Sequence, residues 1–259
     1  MLEFAERVGW KLQKRDKVLI SEFCRAIGVE KRVFKAWLHN NNNNKRKKFA
    51  KSDILPECLI QKVLCLFSVK EAAKMSILSK TWLHAWSTLS TLKFTFDYHK
   101  GNMRMVDDIM ERYKDGKIPI EKFELSNSFF NSEVRHLIDK CLDIALQNGV
   151  KDLVFGAYRF PLYHMPVFKI LAAKSLRELV LNECDLMHHV SLSSGVMKCK
   201  SLRNLSLNEV NLDENMLQPL LNSCPLIVTF NFKYCSGLEK IELLNLRKIK
   251  SVSIRTHRQ

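Results

Sequence analysis

Asn40 is the side chain in this sequence best matched to a single chemical act. An Asn amide donates to adenine N7 and accepts from the N6 amino group, a bidentate pair that reads a base in a major groove. Ala36, His39, Asn40 and Asn43 fall at i, i+3, i+4 and i+7, while Phe34, Trp37 and Leu38 take the other side of the same helix. Lys31, Arg32, Lys35 and the run Lys45-Arg46-Lys47-Lys48 flank this face and can neutralise phosphates, releasing their counterions. The expected nucleic-acid contacts are Lys35, Ala36, His39, Asn40, Asn43, Lys45 and Arg46. Against this stands the tract Asn41 to Asn44: Asn is a poor helix former, and a frayed helix would leave Asn40 merely solvated.

Catalytic chemistry has no comparable foothold. The chain lacks a Gly-rich phosphate loop, a His-x-x-x-His pair and a nucleophile elbow. His188-His189 reads as an exposed turn, and Asp107-Asp108 has no partner at metal-ligand spacing. The cysteines at 24, 58, 65, 141, 184, 199, 224 and 235 never form Cys-x-x-Cys and mostly sit among apolar residues as small hydrophobes. The expectation is a non-catalytic binding protein with no catalytic residue, cofactor, structural metal or disulfide framework.

The elements that carry these residues fall into blocks. Residues 1–51 hold 14 Lys/Arg against 5 Asp/Glu, so +9 of the formal +15 lies in a fifth of the 259-residue chain. Within that block Met1, Phe4, Ala5 and Val8 share one helical face, as do Leu19, Ile20, Phe23 and Cys24. Ala26-Ile27-Gly28-Val29 is a short Gly-containing turn before the helix of Trp37, the sequence form of a helix-turn-helix. No uncharged apolar window of the roughly 18 residues needed to cross a bilayer exists, and Glu3 and Glu6 break the order of a secretory signal. An intracellular protein without membrane contact is expected, the basic tetrad at 45–48 serving as hinge or nuclear address.

A second block begins at Ser52-Asp53-Ile54-Leu55-Pro56-Glu57, a turn into a helix with Pro56 in its first turn, where a missing N–H costs nothing. Leu59, Ile60, Val63, Leu64 and Phe67 recur at helical spacing; a second helix is expected from Glu71 to Ser79, leading to Trp82, Leu83 and Trp86. That is more apolar surface than some 40 residues can hide, which signals a partner interface. Beyond it a template apolar-x-x-apolar-x-apolar recurs, centred on Leu92, Phe123, Leu153, Leu179, Leu205, Phe230 and Ile241. The steps are 31, 30, 26, 26, 25 and 11 residues, and the longer ones leave room for helical inserts such as Val134, Leu137, Ile138, Cys141 and Ala145. Stacked repeats of this kind bury a continuous core.

Three resemblances follow from these residues. About the first 41 residues resemble the homeodomain of the plant zinc-finger homeodomain class, through Trp37-Leu38-His39-Asn40 and Glu3-Phe4-Ala5-Glu6-Arg7-Val8-Gly9-Trp10. The resemblance implies Trp37 as core and Asn40 as the adenine reader. The basic arm that precedes the first helix in that class, and its Cys/His dimerisation finger, are not among these residues. Residues from Leu55 to Leu89 resemble a plant F-box, through Leu55-Pro56, Leu59-Ile60, Val63-Leu64, Glu71-Ala72-Ala73 and Ser76-Ile77-Leu78-Ser79-Lys80-x-Trp82-x-x-x-Trp86, with Thr81 where many relatives have Arg. This implies docking to the Skp adaptor of an SCF-type cullin–RING ubiquitin ligase through Leu55, Pro56, Leu59, Ile60, Val63, Leu64 and Trp82. SLRELVLNECDL and SLRNLSLNEVNL resemble the irregular leucine-rich repeats of plant F-box proteins, a class often carrying a further FBD region not found here. They imply a target-recruiting surface flanking the strands, at Arg177, Glu178, Asn182, Arg203, Asn204, Asn208, Lys233 and Tyr234.

The expected fold is α+β: a truncated homeodomain-like helix-turn-helix (1–48), a basic linker (49–51), a helical F-box (52–96) and an α/β leucine-rich-repeat solenoid (97–259). The expected function is substrate receptor of a ubiquitin ligase, with a target protein and DNA as further partners and a nuclear location extending to the cytoplasm. The alternatives are a homeobox transcriptional regulator with a protein-interaction region, or a chimera of neighbouring coding regions.

Overall fold

A computed structural model describes residues 55–67, 69–96, 103–128, 131–157, 161–187, 199–244 and 246–256, together with eight positions between 18 and 35. The chain divides into two compact units, residues 1–89 and 90–259.

In the first unit Ile20 and Cys24, four residues apart on one helical face, are buried, as is Phe34, while Val18 faces solvent. Lys31 Nζ donates to Ser21 Oγ at 3.3 Å. Three short helices follow: α1 (Glu57–Leu64), α2 (Val69–Met75) and α3 (Lys80–Ser87). Pro56 stands at the N-cap of α1, one place before its expected position, and Glu57 and Lys62 lie at the ends favoured by the helix dipole. The expected helix to Ser79 ends instead at Met75, because Ser79 is the N-cap of α3 and its hydroxyl accepts from Trp82 N at 3.4 Å.

The second unit is built on a seven-stranded parallel sheet of β1 (Thr91–Phe96), β2 (Lys122–Asn127), β3 (Asp152–Ala157), β5 (Glu178–Asn182), β7 (Asn204–Asn208), β8 (Thr229–Lys233) and β9 (Ser251–Arg255), in that order. Two short strands, β4 (Tyr163–His164) and β6 (Cys184–Asp185), pair separately. Parallel neighbours require a crossover. The first two crossovers hold α4 (Met103–Asp115) and α5 (Ser132–Gln147), and those leading to β5 and β8 hold α6 (Val167–Leu171) and α7 (Glu214–Ser223). The expected insert residues Val134, Leu137, Ile138, Cys141 and Ala145 are the buried face of α5, and Lys140 ties α5 to Asp107 and Glu111 of α4 at 2.5 and 2.6 Å.

The repeat template appears directly in the register. Leu92, Phe123, Leu153, Leu179, Leu205, Phe230 and Val252 pair strand to strand in one row, and Phe94, Leu125, Phe155, Leu181, Leu207, Phe232 and Ile254 in the next. The last member differs from expectation: Leu238, Ile241 and Leu243 form no strand, and the seventh repeat is Ile249-x-x-Val252-x-Ile254. It lies 22 residues after Phe230, an ordinary repeat step. The sequence offers the template twice in succession, and only the later copy leaves enough chain for a crossover.

Past the strands, the backbone repeats a strained feature. Glu183, Glu209 and Tyr234 follow β5, β7 and β8 with φ of 50, 54 and 53°. Their N–H groups donate to the carbonyls of Asn208, Lys233 and Arg255 on the next strand at 3.0, 2.8 and 2.7 Å. A ladder of side chains continues outward: His164 Nδ1 to Asp185 at 2.8 Å, Asn211 donating to Asp185 at 3.1 Å, and Ser236 donating to Asn211 at 3.3 Å.

Candidate docking site

The helical periodicity of α1 divides its apolar residues between two faces. Ile60 and Leu64, at i and i+4, are fully buried with Ala72 of α2 and Ala85 of α3. Leu55 and Leu59, one helical position away, are 43% and 42% exposed. Val63 is half-buried between the two faces, and Pro56 is exposed. Leu66 and Phe67, beyond the end of α1, are also exposed, at 83% and 40%, as are Leu78 and Leu83 at 46% and 37%. The helices are otherwise closed on themselves: Gln61 Nε2 donates to Thr88 Oγ1 at 3.1 Å, and His84 Nε2 lies 3.4 Å from Glu57 Oε1.

Of the residues expected to meet an adaptor, Leu55, Pro56 and Leu59 therefore share the exposed face. Ile60, Leu64 and Trp82 pack into the unit's own core, at 0, 0 and 7% exposure. The buried indole N–H of Trp82 meets no acceptor among the described residues, a donor that costs free energy where it stands. Leu66, Leu78 and Leu83 are new to the site. Their signal in the sequence was apolar residues at places the α1, α2 and α3 cores do not need. Of the expected nucleic-acid contacts, Lys35 is an exposed helical residue; Ala36, His39, Asn40, Asn43, Lys45 and Arg46 lie outside the described residues, as do His188 and His189.

In the second unit, the expected recruiting residues form two rows at opposite ends of the strands. Arg177 and Arg203 precede β5 and β7, Glu178 pairs with Asn204, and Asn182, Asn208 and Lys233 pair at the far ends, with Tyr234 just beyond. Sequence reasoning missed the middle row of Glu124, Val154, Val180, Ser206 and Asn231, which also pair in register. These occupy the last x of the template, between its two buried strand positions, and strand alternation puts them on the accessible face. Among the described residues no group of three or more His, Cys, Asp or Glu is placed to hold a metal, and no helix is long and apolar enough to cross a membrane.

A helical unit with exposed apolar residues and a parallel sheet of leucine-rich repeats are the two parts this fold defines. Residues 53–94 match the F-box domain family. Residues 138–258 match the family described as FBD-associated F-box protein At5g56370, LRR repeats; the sheet extends two strands, β1 and β2, ahead of that match. A further segment of 48 residues is 60% identical to zinc-finger homeodomain protein 4 of Oryza sativa subsp. japonica, covering 18% of this chain and 12% of that protein. Zinc-finger homeodomain protein 10 of Arabidopsis thaliana is 65% identical over 43 residues, covering 17% of this chain and 13% of that protein. The chain thus joins an F-box and leucine-rich repeats to a homeodomain-like segment, and spans about an eighth of the length of these curated relatives.

Proposed function

We propose that this chain is the substrate receptor of an SCF-type cullin–RING ubiquitin ligase. The layout would be a homeodomain-like segment (1–48), a basic linker (49–51), an F-box (52–96) and a repeat solenoid (97–259). F-box domains generally bind the Skp adaptor, and the observation that carries the reading is the exposure of Leu55, Leu59, Leu66, Phe67, Leu78 and Leu83 on and beside helices whose own core is already filled. Exposed apolar residues of this kind suit helix-in-groove docking. Ile60, Leu64 and Trp82 then act by holding the helices in place. The repeat sheet offers its accessible rows to a target protein, and the chain itself carries out no chemistry: ubiquitin transfer is accelerated by proximity, supplied by the other subunits. Co-purification with a Skp adaptor is expected, and its persistence in Leu55→Ala plus Pro56→Ala plus Leu59→Ala would overturn the reading.

The identity to zinc-finger homeodomain proteins supports a second activity, DNA binding through Asn40 and the surrounding Lys and Arg, which would place the ligase in the nucleus as well as the cytoplasm. A gel-shift series over salt is expected to lose an A·T-containing site on Asn40→Ala, by about 1–3 kcal/mol. Unchanged affinity in that variant would leave only phosphate contact.

A further inference from the structure

Lys174-Ser175-Leu176-Arg177 recurs 26 residues later as Lys200-Ser201-Leu202-Arg203. Leu176 and Leu202 are fully buried ahead of β5 and β7, so the residues around them take equivalent places on adjacent repeats. The backbone fixes this equivalence. Arg177 N and Glu178 N donate to the Lys151 carbonyl at 2.7 and 3.1 Å, and Arg203 N and Asn204 N donate to the Arg177 carbonyl at 2.8 and 3.0 Å. Lys151, Arg177 and Arg203 therefore stand in a row, one per strand, about 4.8 Å apart.

The row is bounded. The same hydrogen-bond pattern places Glu121 before Lys151 and Val228 after Arg203, so the cations occupy three consecutive repeats and stop. They open on a cavity of about 520 Å³ lined by Lys151, Lys174, Ser175, Arg177, Ser201 and Arg203, with no carboxylate among its lining residues. Lys151 is paired with Glu121 at 2.5 Å. Among the described residues Lys174, Arg177 and Arg203 have no ion pair. Arg203 is oriented by Nη1 donating to the carbonyls of Lys200 and Leu202 at 3.0 and 3.2 Å, which leaves its Nε and Nη2 for another acceptor. Cations held this close repel one another unless an anion lies between them.

We propose that this cavity binds a small polyphosphate, a molecule carrying two or three linked phosphoryl groups. Guanidinium forks suit phosphate oxygens, the volume is that of a small-molecule site, and the bounded row of about 10 Å fits a short anion rather than a continuous strand. The cavity lies wholly within residues 90–259, so anion binding and adaptor binding are read by separate measurements.

The test is calorimetric titration of the full chain with inorganic tripolyphosphate, in a background where Lys45, Arg46, Lys47 and Lys48 are changed to Gln to silence the basic tetrad. One equivalent is expected to bind, weakened at least about tenfold in Arg177→Gln plus Arg203→Gln. Lys174→Gln, at an exposed side chain with no structural bond, should weaken it severalfold, and Lys240→Gln should leave it unchanged. Affinity equal to the parent's in the Arg177/Arg203 and Lys174 variants would overturn the proposal. So would equal thermal protection by sulfate at matched ionic strength, or tighter binding of a single-stranded RNA through the same residues.

Discussion

Glu183 sits in the left-handed region directly after β5, with Glu209 in the same place one strand away. Partial burial, and then the charge of Glu209, hold its carboxyl above the usual carboxylate range. A carboxyl whose pKa is raised on folding favours the native state when protonated, so its cost grows as pH rises through the unfolded value toward the folded one. Glu183→Gln is therefore expected to raise Tm at pH 7, by about 1–3 °C, with the gain vanishing below about pH 4; a thermal melt series over pH checks it. Glu214 has the opposite sign. Its carboxylate accepts from Glu239 N and Lys240 N at 2.7 and 3.1 Å, and backbone hydrogen bonds, its own N–H among them, lower its pKa. Cysteine chemistry divides by position in the same way. Burial pushes the Cys141 thiol up to about 12, whereas Cys58 is exposed, so iodoacetamide on the native protein should label Cys58 and spare Cys141 until denaturant is added, as read by mass spectrometry. The burial of Cys141 was legible in the sequence, but the carboxyl pair was not: Glu183 and Glu209 are two acids 26 residues apart, and only the strand register brings them together.

At the scale of elements, the two buried columns of the sheet carry the second unit. Leu181 is fully buried in the middle of its column, while Ile254 at the end of the same column is 44% exposed. Leu181→Ala is expected to cost about 2–5 kcal/mol in urea unfolding and Ile254→Ala less than about 1 kcal/mol. Equal losses would contradict a core that thins toward β9. The sheet was legible because a parallel repeat writes each buried position into the sequence at a fixed step, and six of the seven centres were read at the right residues. The seventh failed where Ile241 and Val252 both satisfy the template, since spacing alone does not say which copy has a crossover before it. The end of α2 failed for a related reason: Ser79 continues a helical pattern as well as it caps the next helix, and only the hydroxyl's bond to Trp82 N decides.

For the whole molecule, the positive charge and the exposed apolar residues point to different partners. The charge is concentrated in residues 1–51, and the apolar residues lie on and beside α1 to α3. The sequence named the F-box segment correctly but not which of its residues face outward, because Leu59 and Ile60 are adjacent, equally apolar and separated only by a helical turn of about 100°. Direct binding of the full chain to a purified Skp adaptor tests the central claim most sharply, comparing the native sequence with Leu55→Ala plus Pro56→Ala plus Leu59→Ala and with Ile254→Ala as an exposed apolar control from the second unit. The native chain and the control should bind alike, and the triple variant should keep its helical circular dichroism while losing at least about a hundredfold in affinity. Tight binding by the triple variant, or no binding by the native chain, would contradict the account.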